Sequence, residues 1–325
     1  MQMQHRVIDG YVQCKIYEHE IAAYLDAPPH LLPGSSCLIE GSAVNKGLCN
    51  ETNASFNLLI DGQVVNSTIV DLLTTGSSID LTYVFTPTEE KIYNVTAYVE
   101  PVRDEEYTQD NVVSENVVVR TKLRVPQDYA TIQEAIDTAV AGETIVVAPG
   151  IYHEHIGIDK RLTLAGEDCN TTIIDGNGEN KVIITINVGN VKLTGFTIRN
   201  GAGGILLEYS NNSVIEGNIV TGTMDGISLI FSSNNTIISN MIKENRRGLF
   251  LGESINNTLY WNSFVNNTEQ AATMNSLNIW ENGVEGNYWS DYEGEDADGD
   301  GIGDDAYVID AENRDNYPLI KQKID

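Results

Sequence analysis

The stretch Asp296-Ala297-Asp298-Gly299-Asp300-Gly301-Ile302-Gly303-Asp304-Asp305 spaces its oxygens as a hard cation needs them. Calcium takes ligands from alternate positions of a short loop, with glycine at the sixth, where the chain turns sharply. Asp296, Asp298 and Asp300 fill positions one, three and five, Gly301 the sixth, the Ile302 carbonyl the seventh and Asp304 the ninth. Position twelve is Tyr307, where an EF-hand has a bidentate Glu, so Glu295, Asp305 or Asp310 must complete the shell. The expectation is a Ca2+ site built from Asp296, Asp298, Asp300, Ile302, Asp304 and Asp305. The plainer alternative is a solvated acidic loop, in which these crowded carboxylates would repel one another.

Other groups carry weaker signals. His153-Glu154-His155 would place two imidazoles on one face of a strand, directed outward because Ile156 and Ile158 point the other way. Copper would want His, Met and Cys clustered more densely than this. Asp225, Glu244, Arg246 and Arg247 fall on neighbouring repeats, as a carbohydrate-cleaving site would require. They sit near turns, where charged side chains are usually just solvated. No phosphate-cradling loop is present: Gly195 and Gly201 to Gly204 lack the strand–loop–helix setting. Asn-x-Ser/Thr acceptors occur at Asn50, Asn53, Asn66, Asn94, Asn170, Asn211, Asn234, Asn256 and Asn266, a number that favours an exported, glycosylated protein. Of the cysteines Cys14, Cys37, Cys49 and Cys169, the pair Cys14 and Cys49 would face each other if a hairpin folds about the Pro28-Pro29 to Pro33-Gly34 turn.

Charge narrows the partners. The chain of 325 residues has 47 acidic against 19 basic side chains, a net −28. Such a surface repels phosphate backbones, so nucleic acid is excluded as a partner, while divalent cations are attracted. No apolar run approaches the ~20 residues of a membrane-spanning helix, and Met1 to Glu20 is too polar for a signal peptide.

The elements that must position these groups show themselves by period. Asn190, Asn212, Asn234 and Asn256 recur at a step of 22, as do Asn218, Asn240 and Asn262, and Gly204, Gly226 and Gly248. Leu193, Ile215, Ile237 and Leu259 keep the step, and so do Ile205, Ile227, Leu249 and Ala271. One shared period across polar, glycine and apolar columns means a unit stacked on itself. Asparagines in successive turns, Asn278 included, are expected to form amide ladders, and glycines to supply the dihedrals of tight corners. Exposed aromatics, Tyr209 and Phe231 among them, are not expected to form one column. Upstream, Phe56, Leu58 and Ile60, then Ile79, Leu81, Tyr83 and Phe85, then Tyr93, Val95, Ala97 and Val99 alternate with period two. Several such strands fit an antiparallel sandwich. Between the two modules, residues 126–139 read as a turn plus an amphipathic helix with Ile132, Ile136 and Val140 on one face, covering the first coil.

The fold class is therefore all-β: an N-terminal segment (1–17), an immunoglobulin-like sandwich (18–122), a parallel β-helix (123–285) and a cap with the aspartate loop (286–325). Trp289, Tyr292, Tyr307, Val308, Ile309, Tyr317 and Leu319 are the expected plug. The runs Ala54-Ser55-Phe56-Asn57-Leu58-Leu59-Ile60-Asp61-Gly62 and Tyr93 to Pro101 resemble the CARDB immunoglobulin-like adhesion domain. Val147-Ala148-Pro149-Gly150-Ile151-Tyr152, Leu162 to Gly166, Gly286 to Tyr292 and Asp315 to Leu319 resemble NosD-like right-handed β-helix proteins, common on archaeal surfaces. The aspartate loop resembles those of dockerins and thrombospondin type 3 repeats. These resemblances imply a non-catalytic extracellular or cell-surface protein, structural or adhesive, its partners further copies of itself or glycans. The short junction between the modules and the sheet edges that could pair in trans favour self-assembly, with the polar segment Met1 to Tyr17 as a strand to lend a neighbour. A carbohydrate-binding or polysaccharide-cleaving β-helix is the alternative.

Overall fold

A computed structural model describes residues 17–323, together with the backbone of residues 5–8 and 11–14. The chain divides into two compact units, Met1–Thr121 and Lys122–Asp325.

In the first unit, Cys37–Asn45 pairs antiparallel with Ile21–Asp26 and Ser78–Phe85. The opposing sheet runs His30–Leu31, Val112–Val119, Ile92–Val99, Glu51–Ile60 and Gln63–Leu73. Phe56, Leu58, Ala97 and Val99 from one sheet meet Ile21, Ala43 and Leu81 from the other, the inward half of each alternation. The hairpin about the proline turn forms, but its register differs from that expected. Ile21 lies opposite Asn45, and the Cys49 amide donates to the Glu18 carbonyl at 2.9 Å. Cys14 instead lies opposite His5 in a separate two-stranded ladder. Cys49 is a free thiol, and the Cys14 side chain lies outside the described residues.

The second unit is a β-helix of about 8 turns. Its first sheet stacks Lys122–Val125, Thr144–Val147, Thr163–Gly166, Lys192–Thr194, Val214–Glu216, Thr236–Ile238 and Thr258–Tyr260, all parallel. Leu193, Ile215, Ile237 and Leu259 form one fully buried column inside, and Ile205, Ile227 and Leu249 another. The helix covering the first coil, Ile132–Thr138, is shorter than expected. Thr131 caps it in a capping box with Glu134, and Ile132, Ala135 and Ile136 face the core. Val140, beyond its end, is only half-buried.

The repeat's polar residues divide into two roles. Asn190, Asn212, Asn234 and Asn256 are not ladder members; they occupy left-handed corners with φ of 61°, 58°, 58° and 58°. Asparagine tolerates this region better than other side chains with a Cβ. Two of the buried ladders are Asn218, Asn240, Asn262, Asn287 and, beside it, Asn235, Asn257, Asn278. The Asn240 amide donates to the Asn262 oxygen at 3.0 Å and to the Ile215 carbonyl at 2.8 Å, and accepts from Asn218. Ser210, Ser232, Ser254 and Ser276 run a third series. Asn278 joins a ladder because the last step is shorter by one residue. The glycine column also serves another purpose. Gly204, Gly226 and Gly248 are buried strand residues where a Cβ would sit 2.4 to 2.5 Å from a carbonyl oxygen of the next coil. They permit close approach of backbones rather than a special dihedral.

The ladders end in the cap. Asn287 donates its backbone and side-chain N–H to Asp315 at 2.7 and 3.3 Å, and Asn278 donates its backbone N–H to Asn313 at 3.1 Å. Trp289 lies between Phe264 and Tyr307, with ring centroids 4.3 and 4.1 Å away, and Trp280 packs beside it. Val308 and Tyr317, expected in this plug, face solvent, and Trp280 takes the interior place.

Candidate functional site

In the aspartate loop, Asp296, Asp298 and Asp300 bring one carboxylate oxygen each to within 4.8 Å of one another. The fold of the loop comes from its own amides. Asp296 accepts from Gly299 and Gly301 at 2.8 and 3.0 Å, and Asp300 from Ile302 at 2.8 Å. Gly299 and Gly301 have φ of 77° and 91°, which a side chain with a Cβ adopts only at a cost. Asp304 closes the loop by accepting from the Ala297 amide at 2.8 Å. Asp305 is held through its backbone, its carbonyl accepting from the Tyr292 hydroxyl at 2.7 Å. Burial first, then the Asp305, Asp304 and Asp315 charges, raise that phenol against the pull of its own bond. Asp310 is engaged elsewhere, with Thr273 and the Asn313 amide, which leaves Glu295 and Asp305 as the carboxylates next to the loop.

A second arrangement lies on the β-helix wall. The coil between Leu164 and Leu193 is longer than its successors, and the excess sits in residues 176–182 of the strand Thr172–Ile186, where the ladder register shifts twice. These residues wall a cleft of about 600 Å3, floored by Gly201, Ala202 and Gly222 and edged by Asp175, Glu179, Asn200 and Met224. Asp175 is buried there, accepting from Arg199 Nε at 2.8 Å, Asn200 at 3.0 Å and the Asn177 amide at 2.9 Å. Burial pulls its carboxyl upward, but these donors outweigh it and hold it below the usual carboxylate range. Along the same face a hollow of about 380 Å3 holds Asp225, Arg247 and Phe250. Asp225 and Arg247 are register neighbours on adjacent coils, bonded at 2.9 Å, with the guanidinium 4.2 Å above the Phe250 ring.

Of the four charged residues suspected of catalysis, then, only Asp225 and Arg247 come together; Glu244 and Arg246 are exposed. Asp175, Arg199 and the overhanging segment escaped the sequence reading, although the lengthened step from Leu164 to Leu193 marks them. Residues 153–155 are a turn between the strands Gly150–Tyr152 and Ile156–Ile158, not part of one strand. Glu154 receives the Ile132 and Gln133 amides at 3.0 Å each. His155 bonds the Val182 carbonyl at 2.9 Å, while His153 is exposed. Tyr209 and Phe231 stack on adjacent coils, their rings 5.2 Å apart, but the stack stops at this pair, and Phe196 and Phe264 are buried in the core. Among the sequons, Asn50, Asn53, Asn94, Asn170, Asn211, Asn234, Asn256 and Asn266 are exposed. Asn66 is half-buried and spends its amide on the Thr82 carbonyl at 2.8 Å. No helix among the described residues is long and apolar enough to cross a membrane.

Residues 89–294 match the family model described as periplasmic copper-binding protein (NosD), and residues 25–115 match that of CARDB. A cell surface glycoprotein of Methanothermus fervidus is 36% identical over 100 residues, which are 30% of this chain and 16% of that relative's length. The CARDB domain of a Pyrococcus furiosus protein, solved in complex with di-metal ions, is 21% identical, covers 33% of this chain and 95% of its own, and gives a TM-score of 0.31. The catalytic domain of a GH87 alpha-1,3-glucanase in complex with nigerose is 12% identical, covers 84% and 64% of the two chains, and gives 0.43. Copper, which the first family description names, does not fit the donors here. The one group of three or more His, Cys, Asp and Glu side chains gathered closely among the described residues is Asp296, Asp298 and Asp300, an all-oxygen set that suits hard cations.

Proposed function

The chain belongs to the NosD family, and from that premise we propose that it is a non-catalytic cell-surface protein that assembles into a coat, sheath or filament and is stabilised by calcium. The observation that carries this reading is the direction of the repeat's chemistry. Its buried asparagines and serines are turned inward and spent on bonds between coils, which makes a stiff scaffold. The similarity to a surface glycoprotein and the exposed sequons support placement outside the cell. Calcium at Asp296, Asp298, Asp300 and Asp304, with the Ile302 carbonyl and Asp305 or Glu295, would fasten the loop to the cap that closes the β-helix. Sedimentation velocity of the purified chain tests the assembly: large, concentration-dependent species in calcium are expected, and a monomer both in calcium and in chelator overturns it.

A second reading has its own observation. The cleft beside residues 177–180 sets Asp175, Glu179 and Asn200 around a floor of small residues, and the adjoining hollow adds the Asp225–Arg247 pair and the Phe250 ring, a lining that suits a saccharide. Asp175 is held ionised, so it serves there as an acceptor and not as the proton donor that glycoside cleavage needs. A polysaccharide panel is expected to find binding without cleavage, lost in Asp175→Ala; binding that survives this change would remove the cleft from the account.

A further inference from the structure

One end of the sandwich gathers acidic side chains that the fold leaves incompletely compensated. Glu20 immediately precedes the strand Ile21–Asp26, and Asp110 and Asn111 end the loop between Ile92–Val99 and Val112–Val119. Backbone bonds fix both sides. The Ala23 amide donates to the Asp110 carbonyl at 2.7 Å, the Val99 amide to the Asn111 carbonyl at 2.9 Å, and the Lys46 and Gly47 amides to the Glu20 carbonyl at 2.9 and 3.1 Å. Glu20 is 6% exposed and Asn111 1%. Glu20 Oε2, Asp110 Oδ1 and Asn111 Oδ1 are closed off from solvent and have no hydrogen-bond partner. Glu105, beside them, is fully engaged, accepting from the Ile21 amide at 2.7 Å, the Val102 amide at 2.9 Å and Asn111 Nδ2 at 3.0 Å. That last bond fixes the Asn111 side chain and makes Oδ1 its unsatisfied atom.

Buried acceptors without donors are rare and costly, and call for a filler. The Asp110 and Glu105 charges both reach the buried Glu20 carboxyl, so a proton or a cation must offset them. A proton serves Glu20 and Asp110 and does nothing for Asn111 Oδ1, whereas a cation serves all three oxygens. Charge points the same way. Against the carboxylates of Glu20, Glu105 and Asp110, the neighbouring cation is Lys46, 3.5 Å from Asp110 Oδ2 and shared with the Tyr24 ring. One divalent ion balances the remainder. The donors are all oxygen, which selects a calcium-like ion over copper or zinc. Asp110, its side chain 25% exposed, gives the ion a way in.

We propose that Glu20, Asp110 and Asn111, with Glu105 orienting Asn111, form a second divalent-cation site of the calcium type, in the sandwich and independent of the aspartate loop.

The test uses the full chain with Asp296→Asn, Asp298→Asn and Asp300→Asn, so that the loop is silent. Calorimetric titration with Ca2+ is expected to find one ion per chain and a melting temperature that rises with calcium. Tb3+ should be sensitised by tyrosine, since Tyr17 and Tyr107 stack in this unit and the chain's tryptophans, Trp261, Trp280 and Trp289, all belong to the other. Adding Glu20→Gln supplies Asp110 with an amide donor and removes a ligand. Calcium affinity should fall at least about tenfold, while melting in chelator is no lower than in the loop-silent parent. Absence of binding in that parent, as a buried water or shared proton would give, overturns the site. So does unchanged affinity in Glu20→Gln. Comparing the wild-type stoichiometry with that of the loop-silent chain reports separately on the aspartate loop.

Discussion

In the β-helix, a buried amide such as Asn240 hands its hydrogen bonds to the coil on either side, and each coil finds the same partner waiting one repeat on. In the sandwich, Glu20 meets Asp110 and Asn111 from a distant stretch of chain, and one side-chain oxygen of each goes unmatched. Both regions bury polar side chains. Repetition solves the pairing problem once and copies the solution, whereas a junction of unlike segments must solve it singly and can leave room for an outside partner. The difference is between polar groups that hold the fold and polar groups that offer a site.

The largest break in this comparison should come from the ladder. Asn240→Ala removes the acceptor of the Asn218 backbone N–H and the donor to the Ile215 and Ile238 carbonyls in the interior, and is expected to cost about 3–5 kcal/mol in denaturant unfolding. Gly226→Ala, which drives a Cβ to 2.5 Å from the Gly248 oxygen, should cost about 2–3 kcal/mol by the same measurement. The cap gives a pH test of similar size. Burial pushes Asp315 up to about 6, against the pull of the N–H groups that it accepts. A raised folded-state value means stability fully present below about 4 and lost as pH rises through about 6. Asp315→Asn cannot ionise, so relative to wild type it should gain about 2–3 kcal/mol between pH 4 and 7. A constant difference across that window would mean that the group does not titrate there. Asp298→Ala with Asp300→Ala should lower the melting temperature by a few degrees in calcium and leave it unchanged in chelator; equal falls would remove the ion. Smallest of all, Asn234→Ala, at an exposed left-handed corner, should cost about 1 kcal/mol, and Asn234→Gly less.

The 22-residue period was enough to read the β-helix, its apolar columns and its amide ladder through Asn218, Asn240 and Asn262. It could not say which asparagine of the adjacent pairs Asn234-Asn235 and Asn256-Asn257 points inward, because both columns share the step and only the backbone dihedral separates them. The gathering of Asp296, Asp298 and Asp300 was legible because these residues are local in sequence. The Cys14–Cys49 pairing failed on register, which depends on hydrogen bonds between Glu18 and Cys49 that no spacing rule reveals. Glu20 and Asp110 escaped notice for a related reason: they are far apart in sequence, and only the sandwich brings them together. The cleft walled by residues 176–182 was announced by a broken period, a signal that is easily passed over as noise.

The ladders also have grammar. Each asparagine both accepts and donates, so it can be followed by another; Asp315, once ionised, only accepts, and nothing can be appended after it. A carboxylate at the end of an amide sentence works as a full stop. It closes this ladder from within the chain, leaving no side-chain donor on which a further amide could build, whereas the neighbouring ladder ends on Asn313, whose own amide is turned back onto the Ser276 carbonyl and Asp310.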